Sequence, residues 1–102
     1  MKVDISNNAQ IQLNKIIDYI KAEWGEKAKD NFLAKLSDSI KLIRSHPNAS
    51  PKSNTLPNLR RRMVVKQVSI FYTILEYQIT IIAAFDNRMN PNSITNTLSN
   101  LP

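Results

Sequence analysis

The spacing of apolar residues changes once along this chain, from a period near 3.6 to a period of 2, and that change limits the architectures open to it. In the first half, Ala9, Leu13, Ile16, Ile17, Ile20 and Trp24 fall on one stripe of a helix. Ala28, Phe32, Leu36, Ile40 and Ile43 repeat the pattern every three or four residues. In the second half, residues 59–66, 69–75 and 79–85 are rich in Val, Ile, Phe, Tyr and Thr, which suit a pleated, half-buried surface. Two amphipathic helices followed by strands must bury the helical stripes against a sheet, an α+β arrangement.

Val3 and Ile5 alternate with Lys2 and Asp4, so a short strand precedes the helices, and Ser6 is placed to cap the first of them. Gly25, the sole glycine, sits where a helix ends in a conformation that side chains disfavour. His46-Pro47 stops the second helix, because a residue before proline is pushed out of the helical region. The helices, roughly 18 and 20 residues and about 27–30 Å long, are joined too closely to be anything but an antiparallel hairpin. Residues 47–58 hold three prolines and read as a loop. Turns are expected at Lys66-Gln67-Val68 and Glu76-Tyr77-Gln78, neither with the Asn-Gly signal of a tight hairpin. Two turn residues at the second would set Ile70, Tyr72 and Ile74 on one face with Ile79 and Ile81; three would set Phe71 and Leu75 there. The predicted organisation is one domain over residues 1–102: strand 1–6, helical hairpin 7–46, loop 47–58, three antiparallel strands over 59–86, and a polar tail 87–102 with one helical turn around 93–98. The sheet face away from the helices is expected to be the working surface.

At 102 residues a second core has no room. Without cysteine there is neither a disulfide framework nor a thiolate metal site, and one histidine with scattered carboxylates gives no ligand spacing. A single glycine excludes a phosphate-binding loop and a serine nucleophile elbow. No cofactor or metal is therefore expected. No apolar run approaches the roughly 18 residues of a membrane span, and the first residues lack a signal-peptide core, so a soluble cytoplasmic protein without membrane partners is expected. The net charge of +6 calls for a polyanionic or acidic partner. Residues 47–102 carry six bases and two acids, and Arg60, Arg61 and Arg62 are half of those bases.

Four segments in this order resemble the RelE/ParE toxin superfamily, the toxic halves of type II toxin–antitoxin modules. They are Ile17-Asp18-Tyr19-Ile20 with Trp24-Gly25; Ile40-Lys41-Leu42-Ile43 before Pro47; Leu59-Arg60-Arg61 with Tyr72 on the next strand; and Ile79-Thr80-Ile81 running to Phe85-Asp86-Asn87-Arg88-Met89-Asn90-Pro91. The resemblance covers nearly the whole chain. It implies a cognate antitoxin that wraps an extended or helical segment around the toxin, and a complex of the two that binds operator DNA.

The superfamily divides by target. The ParE-like branch poisons DNA gyrase and needs no acid–base pair; the long hairpin over 7–46 is similar to its own. The alternative, the RelE-like branch, cleaves mRNA on the ribosome without a metal, using basic side chains. Arg60, Arg62 and Arg88 match its basic positions and would be catalytic only under that reading. Ser69 stands where RelE-like toxins often carry arginine, and the tail lacks their tyrosine or histidine, so the resemblance leans to ParE. Under either reading Arg60, Arg61, Arg62, Lys66, Tyr72 and Arg88 are the candidate binding residues. Each also has a plainer role available. The three arginines could solubilise an edge strand, Arg88 could pair with Asp86, and Tyr72 could be core with its hydroxyl at a rim. Lys66 could simply face solvent. His46 and Trp24 read as helix-end and packing residues.

Overall fold

The computed structural model of the chain describes residues 1–53 and 58–89. Strand β1 (Lys2–Ile5) leads into helices α1 (Asn7–Trp24) and α2 (Glu26–Ser45), followed by strands β2 (Arg60–Val65), β3 (Val68–Leu75) and β4 (Gln78–Asp86). The sheet order is β1-β4-β3-β2, with β1 parallel to β4 and the other pairs antiparallel. Among the described residues no helix is long and apolar enough to cross a membrane. The expected helical turn at 93–98 lies outside the described residues.

Ser6 caps α1: its hydroxyl accepts from the Ala9 amide at 3.1 Å and donates to the Ile82 carbonyl at 3.2 Å. One side chain thus fixes both the start of the helix and its seat on β4. Gly25 closes α1 and opens α2 with φ 91° and ψ 177°, a region closed to residues with a β-carbon. The corner is held by Glu26, which pairs with Lys21 at 3.0 Å and Lys29 at 2.7 Å. Lys29, and then Lys21, hold the Glu26 carboxyl below its ordinary range, and Glu26 in turn raises Lys29. At the far end, the His46 amide donates to Leu42 at 2.8 Å before Pro47 turns the chain away.

The stripes predicted from spacing meet the sheet. Ala9, Leu13, Ile16 and Ile20 of α1 and Phe32, Leu36 and Ile43 of α2 pack on Val68, Ile70, Tyr72, Ile79, Ile81 and Ala84. The turn between β3 and β4 has two residues, Glu76 and Tyr77, with Glu76 at φ 53°. Of the two registers left open by the sequence, this is the one that aligns Ile74 with Ile79 and Tyr72 with Ile81. Val68, expected in a turn, is instead the first residue of β3.

Strand β4 does not keep one parity. Phe71 pairs with Ala83 and Tyr72 with Ile81, so Ile82 is an extra residue, a β-bulge. Past it, Ala84 faces the helices while Ala83 and Phe85 turn to the other side. Side chains hold the bulge: besides the bond from Ser6 to Ile82, the Ala84 amide donates to Gln12 of α1 at 2.9 Å. The far face is consequently not bare. Leu59, Phe71, Ala83 and Phe85 form a second buried cluster there, with the two phenylalanine rings edge to face at 5.8 Å.

Candidate functional site

The basic residues singled out from the sequence lie on β2, on its turn, and after β4. Arg60 opposes Tyr72 and Arg62 opposes Ile70, so these two arginines share the helix side of the edge strand. Arg61 opposes Phe71 and points to the far face. Alternation along the strand thus divides the three-arginine run between two surfaces.

Each arginine has a different occupation. Arg60 donates through Nη1 to the carbonyls of Ser50, at 2.7 Å, and Asn48, at 3.2 Å, tying the loop that follows α2 to the sheet. Arg61 donates through Nε to the buried Ser69 hydroxyl at 3.0 Å. Ser69, where RelE-like toxins often carry another arginine, therefore acts as the acceptor for this one. The Nε of Arg62 is buried with no hydrogen-bond partner, the one such side-chain atom among the described residues.

Arg88 is anchored on the other side of β3. Its Nε donates to Asp86 Oδ1 at 2.9 Å and its Nη2 to Oδ2 at 2.5 Å, while its own amide also donates to Oδ1. The Asp86 side chain is fully buried, and its carboxylate raises the Arg88 guanidinium above its ordinary value against the opposing effect of burial. The guanidinium carbon lies 4.5 Å from the Trp24 ring centre and 5.6 Å from that of Tyr19, and the two rings meet edge to face. The arginine thus fastens the end of β4 to the end of α1, by charge on one side and by the ring faces on the other.

Tyr72 is fully buried, and its hydroxyl donates to the Pro47 carbonyl at 2.7 Å. It locks the end of α2 to the middle of the sheet and offers no face to a partner. Lys66 stands exposed in the two-residue turn between β2 and β3, and His46 is exposed at the end of α2. Arg60 and Arg62 are therefore brought to one side of β2, Arg61 takes the other, Lys66 stands in the turn past the strand's opposite end, and Arg88 is held apart beyond the middle strand.

The sequence reading missed the part played by the loop. Residues 51–53 run along the start of β2: the Ser53 amide donates to Leu59 at 2.7 Å, the Arg61 amide to Pro51 at 2.9 Å, and Lys52 bridges to Arg60. Two recesses result. One, about 220 Å³, is lined by Ala49, Ser50, Pro51, Arg61, Arg62 and Met63. The other, about 290 Å³, is lined by Asn48, Lys52, Asn58, Arg60 and Ile74. A signal for this surface is present in the sequence. Between Asp38 and Glu76 there is no acidic residue, while Lys41, Arg44, Lys52, Arg60, Arg61, Arg62 and Lys66 all fall there. Folding lays α2 against β2, so the bases of this stretch gather around one edge of the sheet, Arg60 and Arg62 on its helix side and Arg61 on the far face. Among the described residues no three His, Asp or Glu side chains gather to hold a metal ion.

The chain matches the family described as the ParE toxin of type II toxin–antitoxin systems over residues 3–91. No individually curated protein matches it. Among solved structures it is similar to a chromosomal ParDE toxin–antitoxin system from P. aeruginosa, with a TM-score of 0.73, 15% identity, and 84% of this chain and 95% of that one covered. A copper-bound mutant toxin from Helicobacter pylori superposes at a TM-score of 0.59 with 13% identity, over 88% of this chain and 98% of that one. The YoeB dimer from Staphylococcus aureus gives 0.54 with 17% identity, over 81% and 92%. At these identities the structural likeness speaks for the fold.

Proposed function

Since the chain belongs to the ParE toxin family of type II toxin–antitoxin systems, we propose that it arrests growth by poisoning DNA gyrase, and that a cognate antitoxin neutralises it. The antitoxin would bring the pair to operator DNA.

The observation that supports gyrase over RNA cleavage is the state of the basic residues. Cleaving RNA requires groups free to activate a 2′-hydroxyl and to neutralise a phosphate as it becomes pentacoordinate. Arg88 is already neutralised by a buried carboxylate, and Arg60 is bonded to two loop carbonyls. The single histidine, His46, sits at the end of α2 rather than on the strands that carry the arginines. Such arginines position backbone and bind; they are poorly placed to shuttle protons.

The test runs purified toxin in a gyrase supercoiling assay beside mRNA cleavage on programmed ribosomes. Inhibited supercoiling with intact mRNA is the expected result. Cleavage at defined sites, lost in Arg62→Ala, would overturn the proposal and establish the ribonuclease alternative.

A further inference from the structure

Leu75 and Tyr77 are the most exposed large apolar side chains among the described residues, at 73% and 87%, and only Glu76 separates them. Single exposed apolar residues need no partner, but two gathered at one turn mark a contact surface. They open onto a shallow recess of about 400 Å³ lined by Lys2, Leu75, Glu76, Tyr77, Gln78 and Thr80. Register places this recess on the sheet face away from the helices. Val3, Ile74 and Ile79 pack with the helical core, so their strand neighbours Lys2, Leu75 and Gln78 turn to the other side. Lys2 and Leu75 both pair with Gln78, and the three form one row across β1, β4 and β3.

We propose that this end of the far face is the interface of a symmetric dimer, its occupant a second copy of the chain docked about a two-fold axis along β4. A closed two-fold contact must be self-complementary, and the row meets that requirement. A half-turn about an axis along β4, in the plane of contact, exchanges the places of β1 and β3. Lys2 of each copy then faces Leu75 and Glu76 of the other, at the same level along the strands, and Gln78 faces its own counterpart. The Lys2 ammonium meets a carboxylate while its methylene stem covers the leucine. Tyr77 adds a large, stiff side chain of the type that anchors protein interfaces.

Charge selects a second copy over the polyanion that the total of +6 calls for. The charged side chains of the recess are Lys2 and Glu76, and Asp4 lies 4.0 Å from Lys2, so one base stands with two acids. A polyanion gains nothing there. Two copies meeting through β2 would set arginine against arginine, whereas β1 and β2 are the opposite edges of the sheet, and this contact keeps the arginines apart. Six residues cover less than the roughly 800 Å² per partner of a stable complex, so the dimer is weak, with a dissociation constant on the order of 100 µM.

The test is sedimentation velocity on the full chain, from roughly tenfold below that constant to roughly tenfold above it, with circular dichroism as the check on folding. Wild type is expected to pass from monomer to dimer and to stop there. Lys2→Glu and Glu76→Lys each set like charges face to face and are expected to weaken the dimer roughly tenfold or more. An equimolar mixture of the two variants is expected to dimerise about as well as wild type, because one then presents only acids at the two positions and the other only bases. Tyr77→Ser removes apolar area without touching charge and is expected to weaken the dimer as well. A wild type that stays monomeric throughout the range would overturn the inference. So would charge variants or Tyr77→Ser that dimerise like wild type, a mixture that stays monomeric, or species that grow beyond a dimer.

Discussion

The carboxylate of Asp86 is buried completely, yet it serves three donors, all belonging to Arg88 two residues on. Removing its charge would leave a partly buried guanidinium with ring faces as its only company. Breaking one side of such a pair typically costs more than the pair contributes, because the survivor stays desolvated. Asp86→Asn is expected to lower unfolding free energy by about 3 kcal/mol, read from urea denaturation. A loss under half that size would show that the surviving arginine finds water. The pairing was legible from the spacing of the two residues. Trp24 was legible as a packing residue but not as half-exposed beneath an arginine, since that contact joins the end of α1 to the end of β4. Arg60 makes the same point in reverse. Its place on a strand was readable, but its use as a staple for Asn48 and Ser50 depends on where the loop returns.

Two features at the level of elements decide how the helices meet the sheet. The first is the corner between α1 and α2. A β-carbon added at Gly25 would touch nothing within 4 Å, so any cost of substitution comes from the backbone at φ 91°. Gly25→Ala is expected to destabilise by about 1–3 kcal/mol, measured by thermal melting, and a neutral substitution would mean that the corner relaxes. Glu26 braces the same corner. Its carboxyl is lowered in the folded chain, first by Lys29 and then by Lys21. The stabilisation it gives is therefore present above the unfolded value, near 4.5, and is lost as pH falls through the lower folded value. Glu26→Gln is expected to melt below wild type at pH 7, with the gap shrinking as the carboxyl is protonated in acid; a gap that persists undiminished in acid would mean a bond independent of charge. The second feature is the bulge at Ile82. Helix stripes, strand positions and the start of α1 could be read from residue spacing, because burial imposes that spacing directly. The parity change in β4 could not, because the bulge depends on Ser6 and Gln12, which lie far away in sequence. Reading residues 79–85 with strict alternation would place Phe85 among the helices, whereas it packs with Phe71 on the far side.

Across the whole molecule, charge is sorted in a way that neither the total of +6 nor the run of three arginines conveys. Six of the eight acids lie within the first 38 residues, on β1 and the hairpin, while seven bases fall without a single acid between Asp38 and Glu76. Because α2 lies on β2, the bases of this segment gather around one edge of the sheet, and an edge rich in one sign steers an oppositely charged partner before contact. Steering acts on encounter, over distances comparable to the Debye length of about 10 Å at 0.1 M salt, so it belongs to the association rate and not to the lifetime of the complex. Lys41 and Arg44 are exposed on α2 and line neither recess, which separates their long-range effect from direct contact. Lys41→Glu with Arg44→Glu is expected to slow association with an acidic protein partner by roughly tenfold at low salt and to leave dissociation nearly unchanged, as read by stopped-flow fluorescence. The same reversal at Lys15 and Lys27, exposed on the acid-bearing part of the hairpin, removes equal net charge and is the necessary comparison. If both pairs slow association equally, net charge alone governs encounter; if only the first does, the partner approaches along the edge that holds Arg62.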